Sequence, residues 1–184
     1  NPSTLRPKPD LRTYVYYYGM KNVGSEDDWK KVFDIFVAET DASEKAKLQS
    51  ALAAIDDPIV LERYIELASN ESYVRKQDYF TFLNSVAGNR KYGEALVWDY
   101  VRTNWLKLVE RFDLTERNLG RMIPNVTARF AKEIRLQEME DFFAKYPDAG
   151  AGVNARIQAL ENIRNNIKWL ENNKDSIGKF LSKE

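Results

Sequence analysis

From Gly93 to Phe112 the apolar residues Val97, Val101, Trp105, Leu108 and Phe112 recur every three or four positions, which lines them along one side of a helix. Trp98, Leu106 and Val109 widen that stripe past half the circumference and leave Arg102, Lys107 and Glu110 as a narrow face for water. A helix so apolar needs neighbours on two sides, as a layered array of helices supplies. The same periodicity runs along most of the chain. Residues 11–21 read as a short aromatic helix with Tyr14, Val15, Tyr17 and Tyr18 at helical spacings, closed by Asn22 to Gly24. Ser25 is a natural N-cap, and Glu26, Asp27 and Asp28 place negative charge in the first turn of the next helix. That helix carries Trp29, Val32, Phe33, Phe36 and Val37 on one face, and Thr40 to Ser43 turns the chain into a partner bearing Leu48, Leu52 and Ile55.

Asp57 as cap and Pro58 at the first helical position open a further helix with Val60, Leu61, Tyr64, Ile65 and Ala68. After Asn70 to Ser72 comes another, with Tyr79, Phe82, Leu83 and Val86 inward and Gly88-Asn89 as its stop. Helix pairs therefore start near Ser25, Asp57 and Lys91, about 32 to 34 residues apart, a helix-hairpin period. Two more pairs follow: residues 91–112 with 116–130, and 132–146 with 153–181. The last helix repeats Leu160, Ile163, Ile167 and Leu170, then Ile177 and Leu181 after an interruption at Lys174, a pattern for docking on the array or for a short coiled coil. The predicted fold is all-α, an irregular helical-hairpin solenoid of the HEAT/armadillo kind. Pro2, Pro7 and Pro9 disfavour helix at the start, so residues 1–10 read as a linker and 11–184 as the helical domain.

Composition narrows the chemistry. With 184 residues the chain is one ordinary domain in size. Its 28 basic and 28 acidic residues cancel, which gives no argument for nucleic acid or an anionic membrane. There is no Cys and no His, so an HExxH zinc helix, a Ser-His-Asp triad, a Cys-His pair and any disulfide are excluded. No apolar run approaches the roughly 20 residues of a membrane span and no signal-peptide pattern opens the chain, so it reads as soluble.

Few local motifs carry function. Gly150 to Ala155 satisfies G-x-G-x-x-[GA], but it follows a predicted helix ending at Tyr146-Pro147 rather than a strand, and reads as a turn between helices. Arg117, Arg121, Arg129, Lys132 and Arg135 outnumber Glu133 in their stretch, either as an anion site or as a solvated basic face. Arg117 and Arg121 lie four apart, so one carboxylate could meet both. Asn70 and Asn125 begin N-glycosylation sequons, which matter in a secretory lumen.

The order Val15-Tyr16, Trp29, Arg63-Tyr64, Val74 to Asp78, Trp98-Asp99 with Arg102, Asn104-Trp105, then Val126-Thr127 with Arg129-Phe130, resembles the C-terminal helical domain of the aminopeptidase N family of zinc metallopeptidases. Arg117 to Arg121, Met139 to Gly152 and Asn165 to Leu170 look most similar to the glutamyl aminopeptidase branch. The resemblance runs from Leu11 to Leu181. It implies that zinc and its HExxH helix belong to an upstream catalytic domain of the parent enzyme and that this chain holds no cofactor. The chain would be a non-catalytic wall of the substrate chamber, inactive alone, with the catalytic domain, a peptide substrate and a second copy in a homodimer as partners. The parent would be extracellular or a membrane-anchored ectodomain. Many animal relatives carry a disulfide whose cysteines would fall at about Tyr17 and Ala54, and both are missing here.

The resemblance further implies that Arg117 faces a substrate carboxylate in the chamber, with Arg121 beside it. The competing role for Arg117, just after Thr115-Glu116, is to brace a neighbouring acid. For the whole chain the competing class is a free-standing helical adaptor that binds a peptide or protein on its concave face. An independent enzyme using paired carboxylates is the third and least supported class.

Overall fold

Why each helix starts where it does is legible in its caps. The computed structural model describes residues 6–182, among which there are nine α-helices and no strand: α1 Pro9–Val23, α2 Glu26–Ala38, α3 Ala42–Leu52, α4 Pro58–Leu67, α5 Tyr79–Ala87, α6 Gly93–Phe112, α7 Arg117–Val126, α8 Glu133–Lys145 and α9 Val153–Leu181. The all-α class is thus what the structure shows. Ser25 and Asp28 close a reciprocal capping box on α2, and the Asp57 carboxylate accepts from Ile59 N at 2.8 Å and Val60 N at 3.2 Å ahead of Pro58. α2, α4 and α6 begin 32 and 35 residues apart, close to the expected hairpin period. One boundary differs. Pro9, expected to block helix, opens α1, because at the first helical position its missing N–H would have had no partner anyway. The first half of the expected linker, residues 1–5, lies outside the described residues.

The chain divides into two units at Tyr100–Val101, inside α6. In the first, α1 and α2 both pack on α3, and α5 packs on α3 and α4. Its centre is aromatic. Trp29 stacks on Phe33 at 5.2 Å, meets Tyr64 edge-on at 5.4 Å, and donates its Nε1–H to Leu52 O at 3.0 Å; Tyr64 in turn lies 4.5 Å from Phe82. Each such ring, buried with its polar tip satisfied, contributes on the order of 1.5–3 kcal/mol. Tyr64 departs from that pattern, since its buried hydroxyl has no hydrogen-bond partner among the described residues. The opposite face of α1 is bare: Leu11, Tyr14, Val15 and Tyr18, at spacings of three and four, are all exposed by about half or more.

The second unit holds the rest of α6 with α7, α8 and α9. Val101, Trp105 and Leu108 of α6 are buried as the stripe predicts, but Leu106 is 66% exposed. Conversely Arg102, expected to face water, is half-buried with a carboxylate of Glu138 at 3.9 Å. α7 ends at Val126 rather than near Phe130, with Pro124 in its last turn, where the ring removes the bond to the fourth carbonyl back. α9 runs unbroken from Val153 to Leu181, the bounds expected for it, with Lys174 interrupting only the apolar series. Its first half buries Ala159, Ile163 and Ile167, but Trp169, Leu170, Ile177, Phe180 and Leu181 beyond them are exposed. Docking therefore stops after Ile167.

Candidate functional site

α7 buries Leu119, Gly120, Met122, Ile123 and Val126 and leaves Arg117, Arg121 and Asn125 exposed. These three stand four residues apart in series, so they share one face and advance about 6 Å per step. The entry to α7 is tightly built. Asp113 takes a positive φ of 68°, its Oδ1 accepts from Thr115 N and Thr115 Oγ1 at 2.8 Å each, and those bonds hold its carboxyl below the ordinary value of 3.8. Glu116 then caps the helix by accepting from Asn118 N at 2.9 Å. Because that carboxylate is turned to the backbone, it does not brace Arg117. Among the described residues neither Arg117 nor Arg121 forms an ion pair or hydrogen bond.

The helix carrying them is located by glycine. The chain from α8 to α9 makes a single 3-10 turn at Gly150–Gly152, and its backbone lies directly against Gly120 of α7. Ala151 N donates to Leu114 O at 2.9 Å, just before α7, and Gly150 has a φ of 49° that a side chain would strain. The G-x-G-x-x-A pattern is therefore a packing turn between helices. Arg156 fixes the other side of this turn: only 7% exposed, it donates from Nη1 to Tyr146 O and from Nη2 to Asp148 O at 3.2 Å. Its guanidinium lies 4.9 Å over the Phe143 ring and 5.7 Å over Trp105. Burial lowers its pKa, opposed by the charge of Asp148. Sequence reading passed over Arg156, although its position one turn before Ala159 on the Ile163–Ile167 stripe was a signal that this arginine points inward.

Of the remaining cations in the basic stretch, Arg129 and Lys132 are exposed. Arg135 is held by Glu138 at 2.7 Å and covers Phe130 at 5.2 Å. Asn70 is exposed, its Oδ1 accepting from Ser72 N at 2.9 Å in a turn. In the second sequon Asn125 is exposed, while Thr127 is buried and donates to Ile123 O at 2.8 Å. Tyr17 and Ala54 line the same cleft. Among the described residues no three acidic groups converge as a metal site, and none of the helices is long and apolar enough to cross a membrane. The donors present do not fit zinc, so no chemistry by a metal is assigned to this chain.

Residues 1–165 match the model of the ERAP1-like C-terminal domain. The chain is 42% identical to glutamyl aminopeptidase of Bitis rhinoceros and 39% identical to that of Homo sapiens, in each case over 94% of this chain and 18% of the relative. Aminopeptidase N of Mus musculus is 38% identical over 99% of this chain and 19% of its own length. The chain thus spans less than a fifth of these relatives. On that match across nearly its whole length, the chain belongs to the ERAP1-like C-terminal domain family.

Proposed function

We propose that the chain is the non-catalytic C-terminal domain of a zinc-dependent aminopeptidase and walls its substrate chamber, where α7 presents Arg117 and Arg121 to an acidic side chain of the peptide. The observation that carries this reading is the pair itself: two guanidiniums on one exposed face, with no acid paired to them among the described residues, on a helix located by backbone contact at Gly120. A guanidinium stays charged at any working pH and holds a carboxylate through two parallel N–H bonds, which lysine cannot do. The likeness to glutamyl aminopeptidases, whose name states an acidic residue, agrees with that chemistry. Zinc and the reacting groups lie in the rest of the enzyme.

The parent is placed on the extracellular side, and there the two sequons compete with the arginine pair differently. A glycan on Asn125 would stand one turn from Arg121 on the substrate face, so Asn70 is the modified site and Asn125 is left bare. The bare stripe of α1 is assigned to contact with further protein, either the remainder of the enzyme or a second copy. Two measurements on the isolated 184-residue chain test the domain assignment. Metal analysis is expected to find no stoichiometric zinc, and aminoacyl-nitroanilide assays no product. Chelator-sensitive turnover by the purified chain refutes the assignment.

A further inference from the structure

A separate cleft of about 590 Å³ opens in the first unit between the last turns of α1, the exit of α3 and the turn from α5 to α6. Lys21, Arg90 and Lys91 line it together with a single carboxylate, Asp56. The acid is already committed, with Lys91 Nζ 2.8 Å away and that ammonium also 5.0 Å over the Tyr92 ring. Among the described residues Lys21 Nζ has no ion pair or hydrogen bond and lies 5.9 Å from the centre of the Tyr17 ring. Arg90 and the amide of Asn22 have no partner among the described residues. Two full positive charges and an amide donor therefore border the cleft uncompensated.

Its backbone frame is fixed before any ligand arrives. Asn89 is 8% exposed and uses its whole side chain as a brace. Its Nδ2 donates to Ala53 O and Ile55 O at 3.0 Å each, while its Oδ1 accepts from Lys91 N at 3.1 Å and Tyr92 N at 3.2 Å. Those bonds tie the backbone of the Arg90–Lys91 turn to the exit of α3, so the ordering that binding must supply is confined to the exposed side chains of Lys21 and Arg90. Helix C-termini at α1, α3 and α5 would by themselves put partial negative charge here. Most of their last carbonyls, however, accept hydrogen bonds: Met20 O from Gly24 N, Ala51 O from Ala54 N, Val86 O from Asn89 N. The full charges on Lys21 and Arg90 outweigh what remains.

We propose that this cleft binds a dianionic oxyanion of the phosphate or sulfate class, with Arg90 gripping two oxygens, Lys21 a third, and the Asn22 amide donating alongside. The volume exceeds that of a bare oxyanion and leaves room beside Tyr17 for the organic part of a monoester. The test is an NMR titration of the full 184-residue chain with inorganic phosphate, inorganic sulfate and phenyl phosphate at constant ionic strength. Saturable shifts are expected at the amides of Lys21, Asn22, Arg90 and Lys91. The Lys21→Ala/Arg90→Ala double variant, whose two residues are exposed and whose folding is checked by circular dichroism, weakens binding at least ~10-fold. Lys132→Ala, an exposed lysine elsewhere, leaves it unchanged. Phenyl phosphate binding more tightly than inorganic phosphate identifies a monoester as the ligand, and equal affinity identifies the free oxyanion; both support the site. Shifts that fail to saturate, or that persist unchanged in the double variant, overturn it.

Discussion

Gly120→Ala is the sharpest single perturbation of the scaffold that holds the arginine pair. A Cβ at this position would stand 2.6 Å from Gly152 Cα and 3.2 Å from Gly152 N. Comfortable carbon contacts begin near ~3.5 Å, so α7 and the turn have to part by roughly 1 Å, and neither side is a side chain that can rotate away. Overpacking of this kind costs about 2–3 kcal/mol, of which alanine's better helix propensity returns about 1. The expected net loss is about 1–2 kcal/mol, or a Tm lower by about 2–8 °C in a chain of this size. Gly152→Ala is milder, because the reciprocal contact is 3.1 Å. Gly19→Ala is the control: a Cβ there meets nothing within 4 Å, and removing a helix-interior glycine stabilises by about 0.5–1 kcal/mol. Urea unfolding followed by circular dichroism measures all three. If Gly120→Ala is as stable as Gly19→Ala, the close approach of α7 to the turn is not what locates Arg117 and Arg121.

Arg156→Met strips two carbonyls of their donor and is expected to cost about 2–4 kcal/mol in chemical denaturation, with Arg156→Lys recovering little because an ammonium cannot fork between Tyr146 O and Asp148 O while stacking on Phe143. Tyr64→Phe removes a buried hydroxyl that has no partner, so stability should be unchanged or raised by up to about 1 kcal/mol; a loss above that would show that the hydroxyl is bonded in solution. Acid acts through Asp28, Glu44 and Asp113, all held below their ordinary values of 3.8, 4.5 and 3.8, chiefly by bonds from Ser25, Lys47 and Thr115. Depressed carboxyls contribute stability that is present above their unfolded values and lost as pH falls through the folded ones. Unfolding midpoints should therefore hold to about pH 5 and fall below pH 4, and a flat acid profile would contradict this.

Helix identity was legible because its signals are local. The Ser25–Asp28 box, the Asp57-Pro58 start and the Gly88 stop each act over three or four residues, and the buried sets Val60, Leu61, Tyr64 and Tyr79, Phe82, Leu83 follow from spacing alone. Spacing says which way a side chain points around its own axis, but not what stands opposite. Hence Leu106 was placed inside and lies in water, while Arg102 was given to water and lies beside Glu138. The same limit explains the end of α9, where the periodicity continues past the last neighbour. Asn89 was read as a helix stop, and its role as a brace depends on Ala53 and Ile55, more than thirty residues away. At the candidate site the i,i+4 relation of Arg117 and Arg121 was readable from sequence. That no acid among the described residues claims either arginine was visible only in three dimensions.

Contact of Arg117 with substrate, as against support of the fold, is a claim that the kinetics of Arg117→Ala in the full-length enzyme decide. Losing a charge-assisted bond of roughly 1.5–3 kcal/mol predicts a fall in kcat/KM of about 10- to 150-fold on a glutamyl nitroanilide. A leucyl nitroanilide, which has no side-chain carboxylate, should be affected far less. Since Arg117 is exposed and has no partner among the described residues, thermal stability should stay within about 0.5 kcal/mol of the parent. A variant that unfolds earlier while its folded fraction hydrolyses the glutamyl substrate at the parent rate would contradict the claim and return Arg117 to a structural role.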